Sequence, residues 1–307
     1  MAFADGSALR FAYAAESSFG VLAAAPAFKL LRIASSGLKT VKSTVESDEI
    51  RADGNITDLM LGGYDVSGDV GGELSYGAWD DIFAAGFKND WTGDVLKNAM
   101  LTRSLTFEEM LEAGEADLYS RFNGCMVNKL SFSIQPKKPI TMTASIMGRS
   151  EVTASVEIAD STYAPAPTKS VQAAPRGVAS LAVAGSTFRV RSMTLDINNN
   201  LRTRESIDDL YSAEFGKGSV QVTGSLEAYF ESNDVYQRAL DHESAAITAV
   251  LGRVAGEKYK IELPKAVLGD VSKGERRKNT DVMMTLPFQA VLDPASGCSI
   301  KMTRAVL

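Results

Sequence analysis

Adjacent carboxylates are the first residues in this chain whose types suggest chemistry. Asp80 with Asp81, and Asp208 with Asp209, would supply a general acid and a general base if their surroundings drove the two pKa values apart, as in glycoside hydrolysis. One pair opens a helix-like segment and the other shares a loop with Glu205, so helix-capping and surface roles suit them better. A Ser/His/Asp relay would have to use His242, the only histidine, which sits in DHES at the end of another helix-like stretch with no GxSxG elbow anywhere. A solvated surface histidine is expected. The glycines of LGGYDVSGDVGG, residues 61–72, resemble a phosphate cradle, but no helix follows directly and no Lys holds the GK[ST] position. Hairpin turns and bulges explain them more simply. The basic run KGERRK at 273–278 reads as a solvated loop tip or a contact to an acidic neighbour. Cys125 and Cys298 lack CxxC spacing, and with a single histidine they are too few for a thiolate or imidazole metal site. No catalytic, cofactor-binding or metal-binding residue is assigned, and no cofactor is expected.

The elements that would have to position such groups are mostly strands. With 307 residues, 45% of them hydrophobic, the chain can bury two cores of ordinary domain size. A net charge of -6 argues against gripping nucleic acid as the main task, because that requires clustered Lys and Arg. Two thiols without a disulfide pattern suggest a reducing compartment. Apolar residues run from Phe19 to Phe28, but Asp5 and Glu16 precede them and no basic start region exists, so neither a signal peptide nor a membrane span is expected.

The strongest punctuation falls between Ala159 and Gly177, where Pro165, Pro167 and Pro175 stand among Ala, Ser and Thr, a linker composition. On either side, period-two alternation marks half-buried strands. Ile140, Met142, Ala144 and Ile146 alternate with polar residues in the first half, and Val282, Met284, Leu286 and Phe288 do so in the second. Two short helices are predicted, DDIFAAGF at 80–87 and SNDVYQRAL at 232–240, the latter with Ser232 or Asn233 as N-cap. The halves also match in collinear order. Ile56-Thr57-Asp58-Leu59 pairs with Ile207-Asp208-Asp209-Leu210, Val70, Gly72 and Leu74 with Val222, Gly224 and Leu226, and Ile140 and Met142 with Val282 and Met284. The expected architecture is mainly β: two tandem antiparallel sandwich or barrel domains, each with one short α-helix. Their bounds are an N-terminal arm at 1–35, a first domain at 36–159, a linker at 160–177 and a second domain at 178–307.

The order of these features resembles the family of roughly three-hundred-residue tail tube proteins of long-tailed bacteriophages. The matching residues include Gly6-Ser7, Tyr13, Ala15-Glu16-Ser17 and Phe19-Gly20, then SDEIR at 47–51 and ELSYGAWDDI at 73–82. FNGCMVNKLS at 122–131, GSLEAYF at 224–230 and LPFQA at 286–290 continue it. The linker and the basic loop depart from the pattern. The resemblance implies a non-enzymatic virion protein, assembled in the bacterial host cytoplasm, whose copies stack as rings into the conduit for DNA ejection. It implies tape measure, tail terminator and baseplate proteins as partners, DNA passing without tight binding, and no membrane. If six domains close a ring, three chains complete it. The N-terminal stretch holds apolar residues without clear periodicity, which suggests an arm packed on a neighbouring copy, so Tyr13, Glu16, Phe19, Leu22 and Phe28, with Arg276 and Arg277, are the candidate inter-subunit contacts. The other reading is a β-rich binding module, carbohydrate-binding or adhesin-like, whose exposed aromatics would have to come from Trp79 and Trp91.

Overall fold

The computed structural model describes residues 5–114, 116–172, 178–183, 186–187, 190–230, 233–274 and 276–307. Among these the chain is mainly β, and its two α-helices are Asp80–Phe87 and Asp234–Leu240. The second helix starts where the sequence placed it, although Ser232, one of its two expected caps, lies outside the described residues.

Alternation does what it promised in the central sheet. Met142, Ala144 and Ile146 are buried while Thr141 is exposed and Thr143 and Ser145 are half-buried, and Met283–Ala290 behaves likewise. The sheet is antiparallel and runs Lys39–Glu46, Leu59–Glu73, Thr141–Gly148, Ala116–Ile134, Val190–Asn198, Gln221–Tyr229 and Met283–Ala290. It continues through Tyr259–Leu268 and Ser244–Leu251 to Val178–Val183. Among the described residues no pairing joins the first of these strands to the last, and the sheet is not a closed barrel. The order Lys39–Glu46, Leu59–Glu73, Thr141–Gly148, Ala116–Ile134, Leu105–Ala113 recurs as Val190–Asn198, Gln221–Tyr229, Met283–Ala290, Tyr259–Leu268, Ser244–Leu251. In each set a helix follows the second strand named.

Ala116–Ile134 belongs to two sheets. Its C-terminal part pairs with Val190–Asn198, while its N-terminal part pairs with Leu105–Ala113 and Ser150–Ala154. That smaller sheet extends through Arg10–Ala15 and Ala27–Leu30 to Thr162–Ala164, the last pair parallel. The N-terminal stretch is therefore built into this chain's own sheet. Phe11 and Tyr13 join the main core, and Ala12, Ala14 and Phe28 form a second cluster beneath Ile158 and Tyr163. Covered on both faces, Arg10–Ala15 has no alternation to read, and that is why it looked like a loose arm.

The Pro-rich segment is likewise tied down. Arg32 Nη1 donates to the carbonyls of Pro167 and Lys169, and backbone bonds link Gln172 to Leu74 and Ile140. Residues 173–177, with Pro175, lie outside the described residues. One contiguous cluster of buried side chains runs from Phe11 to Met302 and takes residues from both halves.

Glycines 61–72 occupy the interior of Leu59–Glu73 rather than turns. Gly62 is the extra residue of a bulge, since Ser43 faces Gly63 and Thr44 faces Leu61. Gly72 is required by packing: a Cβ there would lie 2.4 Å from Trp79 Cζ2 and 3.0 Å from the Arg32 carbonyl oxygen.

Candidate functional site, a hydroxyl-lined sheet face

Because strand side chains alternate, the apolar rows facing the core dictate polar rows on the opposite face. The registers align those rows across six strands of both halves. One row runs Gly71, Thr143, Ser131, Asp196, Thr223, Gln289, and a second runs Glu73, Thr141, Ser133, Thr194, Ser225, Pro287. A third runs Asp69, Ser145, Lys129, Asn198, Gln221. Between them lie Val70, Ala144, Leu130, Ile197, Val222 and Ala290, the core row, of which Leu130, Ile197 and Val222 are at most 1% exposed.

The polar face is thus a carpet of short hydroxyl side chains with scattered carboxylates. Its one lysine in these rows, Lys129, lies 3.3 Å from Asp196, which also accepts from Ser131 Oγ at 2.6 Å. Such a surface offers an anionic ligand almost no unneutralised cation and no apolar anchor.

The carboxylates expected to be capping groups are structural ties. Asp80 accepts from the Tyr259 hydroxyl at 2.5 Å and from Arg304 Nη1 at 2.7 Å, binding the first helix to the second half. Asp81 accepts from the Tyr13 hydroxyl at 2.9 Å and Lys29 Nζ at 2.6 Å, binding the same helix to the smaller sheet. Burial acts to raise the Asp81 pKa, but the bonds from Lys29 and Tyr13 outweigh it and the carboxyl is held below its usual range. The phenols of Tyr13 and Tyr259 are pushed well up, by burial first and by the neighbouring aspartate charges next. Asp81, held ionised beside Lys29, is thus the opposite of a carboxyl poised to give a proton. Asp208 is exposed, Asp209 pairs with Arg149 at 2.9 Å, and His242 stands exposed in the turn after the second helix.

The other sequence candidates fall in separate places. Tyr13 and Phe28 are buried in this chain, and Leu22 packs half-buried on the Phe28 cluster. These side chains are covered from within, so Tyr13 and Phe28 are not free to meet a neighbour. Glu16 accepts from Thr106 Oγ1 and from the backbone amides of Gly20 and Gly124. Phe19 stands edge-on to Phe215 with centroids 5.5 Å apart, closing a cluster with Met126 and Leu201. Arg276 and Arg277 are exposed at the other end of the molecule. Trp79 is fully buried and Trp91 half-buried under Arg304, so neither offers an open platform for a sugar ring. Cys125 is buried, and its burial pushes the thiol pKa well up, as expected of an inert core cysteine. The polar face itself was missed as a unit, although the alternation that creates it is visible in each strand.

The fold is an open, mainly β sheet with one apolar and one hydroxyl-lined face, and its first aspartate pair is tied to Arg304 and Lys29. The family described as phage tail tube protein matches residues 6–290. The chain belongs to that family and is a structural component of the virion tail. No curated protein matches it. Among the described residues, no helix is long and apolar enough to cross a membrane.

Proposed function

We propose that this chain is the repeating subunit of the tail tube. Copies close into rings, rings stack, and the hydroxyl-lined face turns inward as the wall past which viral DNA leaves on ejection. The observation that carries this reading is the continuity of that face: the same polar rows pass from the first half to the second through the pairing of Lys129–Ile134 with Met193–Asn198. A wall for a sliding polyanion needs wettability without cations, because each Lys or Arg on a phosphate adds a salt-dependent grip. Short hydroxyls with excess carboxylates meet that need.

The recurring strand order, with a helix at the same place in each set, supports two tandem units, 36–159 and 178–307, joined by the segment at 160–177. Gly72 and Gly224 support it too, since a Cβ at either would strike an aromatic ring, that of Trp79 or Phe288, at 2.4 Å. Six units per ring then need three chains, and the open sheet edges of one chain find their partners in the next. Within the host cytoplasm, tape measure protein would template the length, and terminator and baseplate proteins would cap the ends.

Cryo-electron microscopy of the purified protein tests the reading. Hollow filaments with three chains per ring, and Thr143 and Thr223 on the inner wall, are the expected result. Monodisperse monomers at every concentration would overturn the tube, and six whole chains per ring would overturn the trimer.

A further inference from the structure

Asn123-Gly124 is the one Asn-Gly pair in the chain. It lies where Ala116–Ile134 changes neighbours: Asn123 is the last residue paired with Ser150–Ala154, and pairing with Thr141–Gly148 starts at Met126. On the other flank Leu105 faces Cys125 and Phe107 faces Phe122, so Asn123 and Gly124 together oppose Thr106 alone, which makes a bulge. Only glycine fits at 124. Its φ is 65°, and a Cβ would lie 2.8 Å from Arg149 Cβ and 3.1 Å from Phe19 Cζ.

A glycine amide that follows asparagine is a nucleophile in waiting. Once it has lost its proton, the nitrogen attacks Cγ of the asparagine, the bond from Cγ to Nδ2 breaks, and Nδ2 takes up a proton and leaves as ammonia. Water then opens the cyclic imide at either carbonyl, giving aspartate or isoaspartate. Glycine hinders that attack least, because it has no Cβ, and asparagine is among the thermolabile residues.

In the fold the Gly124 amide is buried and donates to Glu16 Oε1 at 2.7 Å. The same carboxylate accepts from the Thr106 hydroxyl at 2.8 Å and from the Gly20 amide at 2.8 Å. Thr106 is fully buried, and its hydroxyl lies 3.2 Å from Asn123 Oδ1, on the group that would be attacked. The carbonyl of Asn123 accepts from the Arg149 amide at 2.9 Å, which fixes the backbone on that side.

We propose that Asn123-Gly124 is a latent deamidation site and that Glu16 is the residue that holds it shut. Loss of the Gly124 proton would set a second negative charge within hydrogen-bond distance of the first, in a place that water does not fully screen. The carboxylate thus restrains the nucleophile while strand pairing fixes the electrophile. A virion component gains from this, because no synthesis replaces a damaged subunit. Either product would add a carboxylate beside Glu16, and isoaspartate would add a methylene to the main chain where one strand serves both sheets. The proposal is independent of ring formation.

Glu16→Gln tests it, since the variant keeps a carbonyl acceptor for the Gly124 amide and removes the charge. Wild type and variant are incubated at pH 8 and 37 °C, and conversion of Asn123 is followed by peptide mass spectrometry. The variant is expected to convert at least about tenfold faster, a small part of what a like charge at this range exerts in a partly buried site. Gly72→Ala strains the core at Trp79 and Arg32 instead and is expected to keep the wild-type rate at Asn123. If Glu16→Gln does not fold, Glu16→Asp replaces it: the charge stays but is drawn back from the amide by one methylene, and faster conversion is again expected. Equal rates in the wild type and the Glu16 variant, or the same acceleration in Gly72→Ala, would overturn the proposal. A slower rate in the variant would overturn it too, by making the carboxylate a base for the reaction.

Discussion

Asp80 and Asp81 are neighbours in sequence with separate tasks, and the pH dependence of the fold should show it. The Asp81 pKa is lowered in the folded protein, burial opposing and the Lys29 and Tyr13 bonds prevailing. A depressed carboxyl contributes stability above its unfolded value of about 4, and that contribution is lost as pH falls through the lower folded value. The wild type should therefore exceed Asp81→Asn in urea midpoint at pH 7 and pH 5, and the gap should close as pH falls through the lowered folded value. Glu109 supplies the opposite sign. Burial first, and the like charge of Glu151 next, raise its pKa against the bond from Ser36. Its ionised form is a cost near neutrality that is relieved on acidification, so Glu109→Gln should lose least, or gain, at pH 7. Equal responses of the two variants from pH 7 to pH 3 would contradict both assignments. The acids were legible as helix-opening residues, but their partners were not: Tyr259 and Arg304 lie 179 and 224 positions from Asp80. Pairing at such separation leaves no mark on local pattern.

Elements were legible where one face is wet. Thr141–Gly148 and Met283–Ala290 are half-buried, so their periodicity survives, and the helix Asp80–Phe87 has the expected bounds. Arg10–Ala15 is buried along most of its length, and Thr162–Ala164 is held by parallel backbone pairing inside a Pro- and Ala-rich stretch. Side-chain pattern is silent in both cases, which is why one read as an arm and the other as a linker. Within Leu59–Glu73 two adjacent glycines give an element-scale test. Gly71→Ala meets only the Ser35 hydroxyl at 2.8 Å, a side chain that can turn away, whereas Gly72→Ala meets Trp79 and the Arg32 backbone. We expect Gly72→Ala to cost about 1–3 kcal/mol, the usual range for overpacking, and Gly71→Ala to stay within about 0.5 kcal/mol, as surface changes do. Chemical denaturation of the two single variants decides it, and equal losses would place Trp79 elsewhere.

For the whole molecule, the polar face predicts how tubes treat DNA. Assembled wild-type tubes should bind it no more tightly than about 10⁻⁴ M at physiological salt, the weak end of non-specific binding. Thr143→Lys with Thr223→Lys, which adds two cations to one row in every chain, should retain DNA at low salt and release it as salt rises. Retention by wild-type tubes equal to that of the double variant, measured by filter binding across salt, would remove the rationale for a hydroxyl wall. Ala116–Ile134 has one more consequence, and it is mechanical. Pulling the two halves apart along the strands loads the pairs from Lys129–Asn198 to Ile134–Met193 in shear. In that direction the hydrogen bonds of a ladder stretch together, whereas peeling would break them one after another. A tail that is bent or tugged while attached to a cell would thus be expected to yield first at its non-covalent seams between copies, with each chain behaving as a stiff, inextensible plate.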